Sequence, residues 1–310
     1  MSSVQNDAAI TAAREAFLAR LIQAGHLIPS GVPGLYGRGG VFEGVIEHFE
    51  RFITRRGADQ KAEVMRFPPI LARRTYESTD HVETMPQLMG SVHSFMGGDA
   101  DYAALTQRAH AGDDWSDLLR PTDVMLVPAA CYPLYPTATG VLPVGGRTVD
   151  LVAFVFRHEP SDDPARMQIF RQREYVRLGT PEQAVAHRDE WLRRGEEMHR
   201  SVGLRVQRVL ANDPFFGRGG RVMKATQREQ DLKYELMAPV TSEEKLTAIT
   251  SSNCHLDHFG VAFDIRTHDG AFAHSACVGF GLERIALALM AEHGMDPDRW
   301  PREVRSVLEL

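Results

Sequence analysis

Cysteine is scarce: the 310 residues hold three, Cys131, Cys254 and Cys277, far apart in the chain. That spacing excludes a disulfide framework. Long apolar runs are missing as well. No segment approaches the roughly 20 apolar residues of a membrane-spanning helix, and the N-terminal 25 residues lack the apolar stretch of a secretory signal. A cytoplasmic protein with no membrane partner is the expectation. Positive charge is in deficit, with 35 Lys and Arg against 41 Asp and Glu and a formal net charge of −6. Broad nucleic-acid binding wants a basic face, so this balance speaks against it. The phosphate-loop string, with its Gly-Lys pair before Ser or Thr, does not occur. The G-x-G of "GFGLER" near the C-terminus carries Arg284 where a dinucleotide fingerprint needs its third glycine. Repeats, low-complexity tracts and an interdomain linker are absent too.

What is present is an ordinary globular composition, 43% hydrophobic and 25% charged, in a chain long enough to bury a core without staples. Residues 8–24 have helical periodicity, with Ile10, Ala13, Phe17, Leu21 and Ile22 on one face. A second helix follows in "VFEGVIEHFERFITRRG", closed by Gly57. "AEVMRFPPIL" reads as a strand ending at two prolines. Residues 75–120 are polar and weakly periodic, as a surface insertion with short helices would be. β-rich runs then recur at 123–131, 147–159, 167–179, 204–210, 232–238, 246–252 and near 260–265. Between them, "TPEQAVAHRDEWLRRGEEMHRSVGL" is a helix capped by Thr180 and Gln183, with Pro181 in its first turn and Gly203 at its end. A last helix follows Gly281. Runs of strands without regular βαβ alternation make the class α+β, and 1–310 reads as a single domain.

Two constellations carry chemistry. In "GFGLER", Arg284 opens a helix after a glycine turn. A cation at a helix N-terminus opposes the helix dipole unless an anion shares the place, and a buried guanidinium needs an anionic partner. The plainer reading is that the glycines only let a strand approach a helix closely. In "VFRHEPSDDPARMQIFRQRE", a hairpin presents Arg157, Glu159, Arg166, Phe170 and Glu174 at alternating positions toward one surface. Arginine on phosphate, carboxylate on a base amine and ring on a base would suit a nucleotide. A solvated face of cross-strand ion pairs is the simpler alternative.

Together the two strings resemble class II aminoacyl-tRNA synthetases. "FRHE…RMQIF" is similar to their motif 2 and "GFGLER" to motif 3, while 41–69, a helix and then a strand ending in proline, is similar to motif 1. The resemblance is closer to the atypical, zinc-dependent seryl group. "GLRVQRVLANDPFFGRGG", "DLKYELMAPV" and "LTAITSSNCHLDHFG" carry it. In that group Cys, Glu and Cys bind zinc in the amino-acid pocket, and the matching positions are Cys131, Glu174 and Cys277. Two thiolates and a carboxylate are sound zinc ligands that leave one position open. Taken alone, each cysteine is more simply a small buried hydrophobe. Cys254 reads as core, and His255 and His258 of "HLDH" as surface or core rather than a metal pair.

The chain as a whole resembles the small bacterial amino acid:[carrier protein] ligases, which lack the tRNA-binding domain of the synthetases. The resemblance implies a class II catalytic core, ATP-dependent activation of glycine or alanine, transfer to the phosphopantetheine thiol of a carrier protein, no tRNA partner, and a homodimer. It implies Arg157 and Arg284 on the phosphates, Glu159 and Phe170 on the adenine, and Arg166, Met167, Ala248, Ile249, Thr250 and Ser251 around the ATP. One departure stands out: "TAITSSN" has no glutamate near Ala248, where the synthetases place a carboxylate that binds metal and ATP, so the holder of magnesium is not apparent. The exposed pair Arg73 and Arg74 is a candidate for docking an acidic carrier. A minimal tRNA-charging enzyme and a non-catalytic regulatory paralogue are the alternatives, and a zinc hydrolase is a more distant one.

Overall fold

A computed structural model describes residues 3–214 and 231–310. Residues 215–220, the end of the "GLRVQRVLANDPFFGRGG" string, lie outside them. Helix α1 (Ser3–Gln23) leads to a small hairpin of β1 (Leu27–Pro29) and β2 (Tyr36–Arg38). Helix α2 (Gly40–Gly57) buries Phe42, Val45, Ile46, Phe49, Phe52 and Ile53, the apolar stripe its sequence spells out. Strand β3 (Glu63–Arg66) stops just short of Pro68 and Pro69, which have no N–H to offer a neighbour.

The next segment holds more than short helices. Strands β4 (Ile70–Ala72), β5 (Ser91–Phe95) and β6 (Leu119–Leu126) form a sheet of their own, in the order β4-β6-β5. Helices α3 (Arg73–Glu77), α4 (His81–Thr84) and α5 (Asp99–Ala111) accompany it. Neither β5 nor α5 buries a residue fully, so neither carries the apolar period by which a sequence announces an element.

The rest of the chain builds the main sheet. After β7 (Gly140–Val141) come β8 (Arg147–Phe156), β9 (Ile169–Gly179), α6 (Pro181–Ser201), β10 (Gln207–Leu210), β11 (Lys233–Ala238) and β12 (Thr247–Leu256). The strand expected near 260–265 is instead helix α7 (His258–Ala262) and the two-residue β13 (Ile265–Arg266). Gly260 lets this helix lie against the main chain at Ala273: a Cβ there would stand 2.1 Å from the carbonyl oxygen of Ala273, a closeness only glycine permits. Strand β14 (His274–Gly281), helix α8 (Leu282–His293) and helix α9 (Arg302–Leu308) complete the fold. The seven strands run β10-β11-β12-β14-β9-β8-β3, antiparallel except for the parallel β3–β8 edge.

Helix α6 covers one face of this sheet. Thr180 and Gln183 close its N-terminus as a reciprocal capping box. Trp191 is fully buried, 4.3 Å from the ring of Tyr175 and edge-on to Phe280 at 6.1 Å. On the same face Arg173 donates to both oxygens of Asp150, at 3.0 and 2.7 Å, with both side chains buried. The opposite face receives Phe170, Gln172 and Glu174 from β9, Cys277 and Gly279 from β14, and Ser251 and Asn253 from β12. The register fixes this, with Glu174 opposite Gly279 and Gly279 opposite Ser251. Asp150→Asn strands a buried guanidinium. It should lower unfolding free energy by about 3–5 kcal/mol, read as a lower urea midpoint; an unchanged midpoint contradicts this.

Candidate functional site

A cavity of about 360 Å³ opens on the face that α6 leaves free. Gln172, Glu174, Ser251, Asn253, Cys277 and Gly279 are its sheet side, and Cys131, Tyr132 and Arg157 close over it. Cys131 comes from a tight loop after β6 rather than from a strand. Two side chains pin that loop: Gln172 Oε1 accepts from Ala130 N at 3.2 Å, and Arg157 Nε donates to the Pro128 carbonyl at 3.1 Å. Cys131, Glu174 and Cys277, far apart in sequence, thereby share one buried wall.

The three side chains are buried, and three acids this close cannot all ionise. The Cys131 thiol is held well above the usual range, first by its hydrogen bond to Cys277, then by burial and the Glu174 charge. Burial, and then the Cys277 charge, raise Glu174 as well. Cys277 moves the other way. Its hydrogen bond with Cys131 lowers it against the cost of burial, and His255 and Asn253 favour its thiolate too. Glu174 Oε2 is buried with no hydrogen-bond partner, an acceptor waiting for a cation. The donor set suits zinc. It is not a ready-made cage, however: among the described residues, no three or more His, Cys, Asp or Glu side chains are arranged to hold an ion. A metal would have to draw these ligands in.

Next to this wall lies an aromatic slot. The Arg157 guanidinium sits 5.6 Å above the Phe170 ring centroid and that of Arg284 5.9 Å from it. Arg284 is held by the carbonyls of Ala165 (2.7 Å) and Ala248 (3.1 Å). Burial, and then the charges of Arg157 and Arg166, bring its pKa down to about 10. A guanidinium crowded by like charges marks a place short of an anion. Arg157 and Glu159 lie past the end of β8 and Arg166 before the start of β9, not on the two strands as the alternation suggested; Glu159 and Arg166 pair with each other at 3.3 Å. Met167 is buried in the core.

The four consecutive β12 residues do not share a face. Ser251 lines the cavity, and Ala248 contributes its carbonyl. Ile249 is core. Thr250 points to the α6 side, where its hydroxyl meets His199 Nε2 at 2.7 Å, because neighbouring residues of a strand face opposite ways.

Several cavity residues escaped the sequence reading. Gln172 alternates with Phe170 and Glu174, so the strand period pointed to it. His255, set aside as surface or core, stands in the cavity wall with Nε2 3.6 Å from Cys277 Sγ and Nδ1 3.0 Å from Ser275 Oγ. His258 pairs with Asp80 on the rim at 3.4 Å, and that hydrogen bond raises its pKa. His81 is driven down to about 4, by burial first and then by Arg157, so it is neutral. Lys233, nearly buried, reaches Asp213 at 2.5 Å and Glu235 at 3.4 Å. Glu235 lies opposite Ser251, a carboxylate one strand away from where "TAITSSN" has none. No local pattern announced Lys233 or Asp213.

No protein-family model matches the chain. It is 42% identical over 282 residues to amino acid–[acyl-carrier-protein] ligase 2 of Bradyrhizobium diazoefficiens, covering 90% of this chain and 84% of that one. Ligase 1 of the same organism is 40% identical, over 90% and 86%. Among solved structures, Methanopyrus kandleri seryl-tRNA synthetase, crystallised with a tRNA, superposes with a TM-score of 0.80 at 21% identity, over 94% of this chain and 60% of that one. Seryl-tRNA synthetase of Pyrococcus horikoshii, complexed with ATP, gives a TM-score of 0.70 at 15% identity, over 95% and 62%. The class II synthetase catalytic fold is therefore the fold of this chain.

The two cavity thiols should differ in reactivity. In metal-free protein, iodoacetamide should modify Cys277 at a lower pH than Cys131, because only the thiolate reacts. Peptide mass mapping across a pH series reads the order; Cys131 reacting first contradicts it.

Proposed function

Because this chain belongs to the amino acid–[acyl-carrier-protein] ligase family, we propose that it activates glycine or alanine with ATP and passes the aminoacyl group to the phosphopantetheine thiol of a carrier protein. The observation that carries this reading is the convergence of Arg157 and Arg284 over Phe170, beside a wall of Cys131, Glu174 and Cys277.

In the first step a carboxylate oxygen of the amino acid attacks the α-phosphorus of ATP. The new O–P bond replaces the bond to the β-phosphate oxygen, and pyrophosphate leaves. The carboxylate needs no base, so the protein's work is alignment and charge stabilisation. Arg157 meets the α-phosphate and is kept in place by the Pro128 carbonyl. Glu159 accepts from the adenine amine once Arg166 turns from it to phosphate. Phe170 is the floor under the base and Arg284 its cover, reaching the γ-phosphate. A base between them needs about 3.5–4 Å on each side, roughly 7 Å or more, whereas Arg284 now stands 5.9 Å from the ring. ATP must therefore lift Arg284 from its carbonyl partners. Zinc on Cys131, Glu174 and Cys277 would take the α-amine in its open position. For magnesium, Glu235, opposite Ser251 on the neighbouring strand, is the candidate carboxylate.

In the second step the carrier thiol attacks the carbonyl of the mixed anhydride. A C–S bond forms, the C–O bond to phosphate breaks, and AMP leaves. Gly279 is on the floor of the chamber and Tyr132 and Phe259 are on its walls, and glycine or alanine is the substrate expected there.

ATP–pyrophosphate exchange should appear with glycine or alanine and not with serine. Arg157→Ala should cut exchange by about 10²–10³-fold, the usual loss when a donor to developing charge is removed. Cys131→Ser should lose the zinc measured in the purified protein. No exchange with any amino acid overturns the activation step, and unchanged zinc overturns the ligand set.

A further inference from the structure

Phe170 and Arg284 each have a charged chain neighbour that faces away from the cavity. Arg171 follows Phe170 on β9, and Glu283 precedes Arg284 in the first turn of α8. The two meet behind the sheet. Glu283 Oε2 accepts from the backbone N–H of Arg171 at 2.6 Å, and Oε1 from its Nε at 3.0 Å. The position of that backbone bond is telling. β9 pairs with β14 only as far as Gln172 opposite Gly281, where β14 becomes α8. Past that point the Glu283 carboxylate takes the next place in the ladder and holds β9 where the strand no longer does.

The same guanidinium reaches α2. Its two terminal nitrogens donate to Glu43 at 2.7 and 2.9 Å, Glu43 also accepts from Arg38 Nε at 2.7 Å, and Arg38 returns to Glu283 at 3.4 Å. Two cations and two anions close a neutral ring, with Glu283 only 1% and Arg171 12% exposed. None of the four lines the cavity. Bidentate arginine–carboxylate pairs fix direction as well as distance.

We propose that Arg171, Glu283, Glu43 and Arg38 are positioning residues for the nucleotide: from behind the sheet they set the spacing between Phe170 and Arg284, and through Glu43 they tie that spacing to α2. This rests on the ATP reading above. ATP has to part Phe170 from Arg284, and the ring gives that movement a fixed hinge: Arg171 and Glu283 stay joined while the Arg284 side chain swings. With the hinge loosened, the slot has no defined width. The loss falls on ATP and not on the amino acid, whose cavity wall is held by the Cys131 loop.

The test uses Glu283→Gln and Glu43→Gln, with Asp150→Asn as a control that breaks a different buried ion pair on the same face. Binding of a non-hydrolysable ATP analogue is measured by calorimetry, the KM values for ATP and amino acid by pyrophosphate exchange, and folding by urea midpoint. Both Gln variants should weaken the analogue and raise the ATP KM by about 10–100-fold, the cost of misplacing reacting groups by an ångström or less, with the amino-acid KM unchanged. Asp150→Asn should lower the midpoint without that ATP-selective change. ATP affinity at the wild-type level in both Gln variants, or a loss no more ATP-selective than in Asp150→Asn, overturns the proposal. A wild-type protein that binds no analogue overturns the ATP reading, and the proposal with it.

Discussion

The register of β9 against β14 is the constraint on which the site depends. Glu174 opposite Gly279 and Gln172 opposite Gly281 fix which side chains enter the cavity and which go behind the sheet. A slip of one residue would exchange Phe170, Gln172 and Glu174 for Arg171, Arg173 and Tyr175, replacing an aromatic floor and a carboxylate with buried guanidiniums. The sheet is secured against that slip on its far side. Arg173 is locked to Asp150, Arg171 to Glu283 and Glu43, and Tyr175 is packed against Trp191.

Charge is distributed by the same alternation. Behind the sheet the ionic groups are matched in number, two arginines to two glutamates and Arg173 to Asp150, with Glu283, Arg173 and Asp150 buried, so they specify geometry. On the cavity side Lys233 is paired with Asp213 and His258 with Asp80, but the groups read as meeting substrate are not matched in this way. Among the described residues, Arg157 and Arg284 donate to backbone carbonyls, and Glu174 keeps an oxygen with no donor. One end of the cavity thus lacks an anion and the other a cation. An activating enzyme for an amino acid needs that polarity, with triphosphate at one end and ammonium at the other.

Much of this was legible in the chain because local rules governed it. The Thr180–Gln183 box, the apolar stripe of α2 and the proline stop after β3 each state their element in a few residues. The spacing of Phe170 and Glu174 stated a shared face. Legibility ended where the outcome was long-range. Strand β12 runs to Leu256, four residues past its expected end, and that extension carries Asn253 and His255 into the cavity. Thr250 was misplaced by treating four successive residues as a unit where the strand turns every second one away. The insertion concealed a three-stranded sheet because its exposed strands lack an apolar period. The loop that delivers Cys131 depends on Gln172 and Arg157, 41 and 26 positions further along the sequence.

On the proposed reading, a nucleotide clamp and a small amino-acid chamber lie side by side and serve a thiol acceptor. The most direct measurement is the intact mass of a carrier protein after incubation with this chain, ATP and glycine or alanine. Carrier bearing phosphopantetheine should gain one aminoacyl group, removable by hydroxylamine as a thioester is, while carrier lacking the arm should gain nothing. An unmodified holo-carrier together with labelled amino acid on added tRNA would contradict it.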